Sequence, residues 1–142
     1  MIHHGDSLSH VARAETSFSF GLDQHAWLGK IDLMRRVGDG IEIVDFKAGK
    51  SVPAALEQID TQLDLYALGA ESNLGVRVVG QAVHFLEDDK VYSWDWSPDK
   101  SKSARARLSG VLGCIAVRDL PPRVDYCPQC QEFRRICPYA RS

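Results

Sequence analysis

The chain has 142 residues, 44% of them hydrophobic and 25% charged, which is enough for one domain with a real core and argues against disorder. No apolar run is long enough to span a bilayer, and the opening Met1-Ile2-His3-His4-Gly5 has no apolar segment of signal type, so a cytoplasmic protein without membrane association is expected. The net charge of −2 is unevenly spread: residues 1–99 sum to −8 and residues 100–142 to +6, a split that suits cation binding in one part and polyanion binding in the other, or simply two solvated faces.

Residues 1–14 show no clear period, and His3, His4 and His10 are expected on a loose N-terminal arm. From Glu15, the run Thr16-Ser17-Phe18-Ser19-Phe20-Gly21 alternates apolar and polar residues, as a strand with one buried face does. Ala26 to Val37 and Ile41 to Lys47 read as the next two strands, joined at Gly38-Asp39-Gly40, a hairpin turn signal. A two-residue loop there brings Asp32, Asp45 and Lys47 to one face, with Ile31, Leu33, Val37, Val44 and Phe46 forming a mostly core face behind them. A three-residue loop separates the two aspartates unless a bulge intervenes.

After Ala48-Gly49-Lys50-Ser51-Val52, Pro53 suits the first turn of a helix running to about Glu71, with Leu56, Ile59, Leu63, Tyr66 and Ala70 facing inward. Gln62 and Tyr66, four apart, share a side of it. Val76 to Leu86 and Val91 to Trp96 read as two further strands. Ser97-Pro98 opens a second helix whose inward stripe is Ala104, Leu108, Val111, Leu112 and Ile115. The order strand, strand, strand, helix, strand, strand, helix predicts an α+β (mixed α/β) domain with a central mixed sheet flanked by helices. The expected organisation is an arm over 1–14, a core over 15–120 and a cysteine-rich tail over 121–142.

Two aspartates on neighbouring strands repel unless they are solvated, paired or bound to a cation. A divalent ion such as Mg²⁺ relieves that repulsion with oxygen ligands, and Lys47, two residues beyond Asp45, emerges beside it. The plain alternative is a salt bridge at a strand end. All four cysteines lie late in the chain, and Cys127, Cys130 and Cys137 fall within eleven residues, the spacing of ligands to Zn²⁺ or an iron–sulfur cluster. A set of three needs a fourth ligand. The remaining cysteine, Cys114, is expected to be a small buried core residue rather than that ligand.

In order and spacing, Gly29-x-x-Asp32, Asp45-Phe46-Lys47, Gln62-x-x-x-Tyr66 and the three late cysteines resemble the RecB-type nucleases of the PD-(D/E)XK superfamily. The likeness extends to their iron–sulfur branch, which includes CRISPR-associated exonucleases and helicase-nucleases. The resemblance covers most of residues 15–140. It implies a restriction-endonuclease-like core and a Mg²⁺- or Mn²⁺-dependent deoxyribonuclease, acting as an exonuclease on single-stranded or duplex DNA ends in repair, recombination or CRISPR-type processing. Asp32, Asp45 and the Phe46 carbonyl are implied metal ligands, Lys47 an activator of the attacking water, and Gln62 and Tyr66 positioning groups. Glu15 matches a frequently acidic position, as a structural contact or a ligand. Cys127, Cys130 and Cys137 are implied to hold a [4Fe–4S] cluster, with Zn²⁺ as the alternative, stapling the tail to the core. Such nucleases carry a histidine helix and a further cysteine ahead of the first strand. The expectation is therefore that this chain is a fragment of a longer nuclease or helicase-nuclease, with a helicase or other subunit as partner, or that His10 or a partner subunit substitutes. The alternative is a catalytically incomplete DNA-binding or assembly module on the same fold.

Overall fold

The computed structural model of the chain describes residues 11–117. Five strands form one sheet in sequential order: β1 (Val11–Leu22), β2 (His25–Val37), β3 (Gly40–Lys47), β4 (Val78–Phe85) and β5 (Lys90–Asp95). Every neighbouring pair is antiparallel except β3 and β4, which run parallel. Only that parallel step needs a long crossover, and helix α1 (Leu56–Gly69) supplies it. The result is the expected mixed sheet with helices, of α+β class.

Local chemistry explains the boundaries of α1. Pro53 opens a single 3-10 turn, Pro53–Ala55, because its missing N–H costs nothing there. The helix runs into a wide turn, Ala70–Leu74, and stops at Gly75, whose φ of +63° suits a residue without a Cβ. Helix α2 (Pro98–Ala116) starts with the Ser97 hydroxyl accepting the Lys100 N–H at 3.2 Å, an N-cap. The sheet, α1 and α2 as far as Ser109 belong to one unit, and the rest of α2 from Gly110 belongs to a second.

The core lies between the sheet and its helices. Ile31, Met34, Ile43, Leu63, Leu68 and Val83 are almost wholly buried, and each contributes about 1.5–3 kcal/mol of hydrophobic stabilisation. Ile31 and Met34 belong to the same cluster although they are three residues apart, so the strict alternation of β2 fails between them. This corrects the expected faces: Met34, Ile43 and the buried Asp45 lie together toward the helix side, whereas Phe46 and Val37 are exposed. Strand β1 begins at Val11, four residues before its clear alternation, because edge pairing with β2 tolerates the irregular Val-Ala-Arg-Ala run.

A buried polar network ties α2 to α1 and β4. Asp64 accepts a hydrogen bond from Gln81 Nε2 at 3.0 Å and pairs with Arg107. Lys100 Nζ reaches Gln81 Oε1 at 2.6 Å and Asp60 Oδ1 at 3.0 Å, and lies near the rings of Trp94 and Trp96. Neither Asp64 nor Gln81 stood out in the sequence, since buried polar pairs have no period of their own.

The inward stripe of α2 is narrower than expected. Ala104, Leu108 and Leu112 are buried, while Val111 and Ile115 are about half exposed. Cys114 is exposed too, not buried as expected, because two residues beyond Leu112 is a turn of about 200° around the helix.

Candidate active site

The site is built on the ends of two paired strands. The β2–β3 ladder closes at Val37↔Gly40, so the loop is the two residues Gly38-Asp39, and one step beyond Leu33↔Val44 sets Asp32 against Asp45. Gly38 takes a φ of +58°, the first-position requirement of a tight hairpin turn. At the far end the Asp32 carboxylate replaces the ladder, with Oδ2 accepting the Phe46 N–H at 3.0 Å.

Asp45 is 3% exposed. Its Oδ2 forms an ion pair with Lys47 Nζ at 2.8 Å, and no other donor reaches that oxygen among the described residues. Burial raises the Asp45 carboxyl above its usual range, Lys47 opposes the rise, and Asp32 adds to it by repulsion. Lys47 is steadied from α1: its Nζ donates to Gln62 Oε1 at 3.1 Å, and Gln62 Nε2 donates to Tyr66 Oη at 2.7 Å. The i, i+4 spacing thus orients the amide with its oxygen toward the lysine. The Tyr66 ring rests edge-on against Phe18, 5.7 Å between centroids.

Asp32, Asp45, Lys47, Gln62 and Tyr66 are therefore one connected group. The Phe46 ring points elsewhere, 5.9 Å from the His84 ring, and only its backbone joins the group. Glu15 lies level with Asp32, since its neighbours pair with Leu33 and Ile31. It has a φ of +47° and forms an ion pair with Lys30 at 3.0 Å. His10, Cys127, Cys130 and Cys137 lie outside the described residues.

Sequence reasoning missed one tether. The Asp88 carboxylate in the β4–β5 turn accepts hydrogen bonds from the Ser51 N–H (3.2 Å) and hydroxyl (2.6 Å), fixing the loop that follows Lys47. Those bonds hold the Asp88 carboxyl below its usual range. An aspartate in a polar turn was the only signal, and such residues usually bond locally.

Strand order, crossover helix and acidic strand end together define a restriction-endonuclease-like fold. The family model of the PD-(D/E)XK nuclease superfamily matches residues 4–138, and the chain belongs to that superfamily. Among solved structures, similarity extends to a "Putative exonuclease" from Eubacterium rectale, at 13% identity and a TM-score of 0.54, covering 89% of this chain and 54% of that one. A second, the protein SSO0001, matches at 15% identity and a TM-score of 0.54, covering 92% of this chain and 61% of that one. At such identities the likeness is one of fold, and the chain spans roughly half to three-fifths of those proteins' length. No curated protein matches the sequence significantly.

Among the described residues, no group of three or more His, Cys, Asp or Glu side chains gathers as a metal set. The two carboxylates nevertheless suit a divalent cation, because Asp45 Oδ2 is a buried oxygen that no donor except Lys47 reaches among the described residues and hard cations take oxygen ligands.

Proposed function

We propose that this chain forms the core of a metal-dependent deoxyribonuclease of RecB type, acting as an exonuclease on single-stranded DNA ends in repair, recombination or CRISPR-type processing. The observation that carries the reading is the buried Asp45 carboxylate, paired at 2.8 Å with a lysine that is held in turn by Gln62 and Tyr66. Asp32 and Asp45, with the Phe46 carbonyl, would hold Mg²⁺ or Mn²⁺. A bound divalent cation supplies charge neutralisation at the scissile phosphate and acidifies the attacking water. Lys47, anchored on both sides, keeps a positive charge where negative charge develops on the phosphate and orients that water. Gln62 gives the Asp45-paired lysine a second, fixed partner, and Tyr66 fixes the amide. Cys127, Cys130 and Cys137 would carry a [4Fe–4S] cluster or Zn²⁺ stapling the tail, and a helicase or second nuclease subunit is the expected partner.

Cleavage of a labelled single-stranded oligonucleotide with Mg²⁺ or Mn²⁺ tests the reading. Asp45→Ala is expected to abolish cutting while the fold is retained, and Lys47→Ala to slow it on the order of 100-fold. Full activity in Asp45→Ala would sink the mechanism. Among the described residues the site holds two carboxylates, which favours a second reading, a catalytically incomplete DNA-binding module on the same fold. It predicts DNA binding without cleavage.

A further inference from the structure

Twelve lysines and arginines lie between residues 11 and 109. Eight of them have a carboxylate partner: Lys30, Arg35, Lys47, Lys50, Arg77, Lys90, Lys100 and Arg107. The other four, Arg13, Arg36, Lys102 and Arg105, have none among the described residues, and they are not scattered. Arg13 and Arg36 line a polar hollow of about 280 Å³ with Arg77. Lys102 and Arg105 line a neighbouring hollow of about 470 Å³, again with Arg77. Arg77 borders both, so the two hollows are neighbours, and together they form a groove lined by five cations and the two acids Asp39 and Glu71.

The groove's own acids are already engaged. Asp39 pairs with Arg77, and Glu71 accepts the Trp96 Nε1–H at 3.0 Å and faces the Ser101 hydroxyl at 3.5 Å. Arg13 and Arg36 come from adjacent strands and lie diagonally across the β1–β2 ladder, where Arg13 pairs with Met34, so their charges face one another. Clustered like charges repel, and a phosphate-bearing anion relieves that repulsion with bidentate geometry that arginine favours.

The position is informative as well. The groove borders Gly40 and Ile41 at the start of β3 and Val78 and Val79 at the start of the parallel β4. Lys47 ends β3, seven residues and about 23 Å away. The groove is therefore distinct from the candidate active site.

We propose that this groove is a second phosphate-binding surface, and that it takes the sugar–phosphate backbone of a nucleic-acid strand. It does not depend on the metal chemistry of the candidate active site, because a protein unable to cleave would still bind through it. The probe is a labelled single-stranded oligonucleotide, its binding to the full chain followed by anisotropy over a salt series with chelator present to prevent cutting. Arg13→Ala with Arg36→Ala, and separately Lys102→Ala with Arg105→Ala, should each weaken binding several-fold. Each pair should also reduce the slope of log affinity against log salt by about 0.7 per lost phosphate contact. Lys90→Ala, an exposed cation outside the groove, should leave the slope unchanged. A wild-type slope in either double variant overturns the proposal. Inorganic phosphate alone, titrated by calorimetry, separates the sources: binding of it that depends on Arg36, with an unaltered oligonucleotide slope, would make the groove a site for free phosphate and overturn the nucleic-acid assignment.

Discussion

Tyr66 never reaches the carboxylates, yet it decides which end of the Gln62 amide faces Lys47. Tyr66→Phe removes the only partner of Gln62 Nε2 among the described residues while keeping the ring against Phe18. The expected outcome is a cleavage rate about tenfold lower with a thermal midpoint changed little, since one neutral hydrogen bond is worth roughly 1 kcal/mol. Single-turnover kinetics beside a melting curve checks it. At Asp64 the effect is on stability. Burial raises its carboxyl above the ordinary 3.8, Gln81 opposes the rise, Asp60 adds to it, and Lys100 and Arg107 oppose it. Between 3.8 and the folded value the folded state binds more protons than the unfolded chain, so stability is fully present below 3.8, falls as pH rises through that window and levels beyond it. Asp64→Asn should remove that fall, read as the urea midpoint against pH. Asp45 contributes a change of the same sign, so the difference between the two profiles isolates Asp64, and identical profiles would contradict the assignment.

Among the elements, β1 and β2 are locked to α1 through one ring. A Cβ at Gly29 on β2 or at Gly69 on α1 would overlap the buried Phe18. Helix propensity alone predicts that Gly69→Ala stabilises by about 1 kcal/mol. Overpacking costs about 1–3 kcal/mol, so the net expectation is destabilisation, largely relieved when Phe18→Leu is added. A double-mutant cycle in urea reads the coupling directly, and independent, additive effects would refute it. The same ring explains what was and was not legible in the sequence. Strand identity, a hairpin turn within Gly38-Asp39-Gly40 and the i, i+4 pair Gln62/Tyr66 follow from periodicity and turn chemistry, which act locally, whereas the choice of Gly38-Asp39 as the loop came only with the ladder. The faces of β2 did not follow, because alternation breaks between Ile31 and Met34, where β2 outruns its pairing with β3. Gly29 was legible only as part of a motif, since its reason lies eleven residues back in Phe18 and across space in α1. The Asp64–Gln81–Lys100 network and the Ser51–Asp88 tether are contacts between distant segments, and no local pattern announces them.

For the molecule as a whole, a cation at Asp32 and Asp45 should behave as a stabilising ligand. At a concentration one hundred times its dissociation constant, an ion binding only the folded state adds about 2.7 kcal/mol. Mn²⁺ is therefore expected to raise the unfolding midpoint of the wild-type chain and to leave Asp45→Asn unmoved. Differential scanning fluorimetry with and without chelator decides it, and an equal rise in both proteins would place the ion elsewhere.

The single parallel step in the sheet also governs time. The β2–β3 hairpin closes through two residues, an event on the order of 1–10 μs. The β3–β4 pairing joins Ile41 to Val78 across the whole crossover, and non-local pairings form slowly because loop closure precedes their reward. By these timescales the two aspartates are expected to meet before Gln62 and Tyr66 arrive with α1. Their mutual repulsion would then be offset by solvent and Lys47 alone, a charge problem of assembly as well as of the finished site.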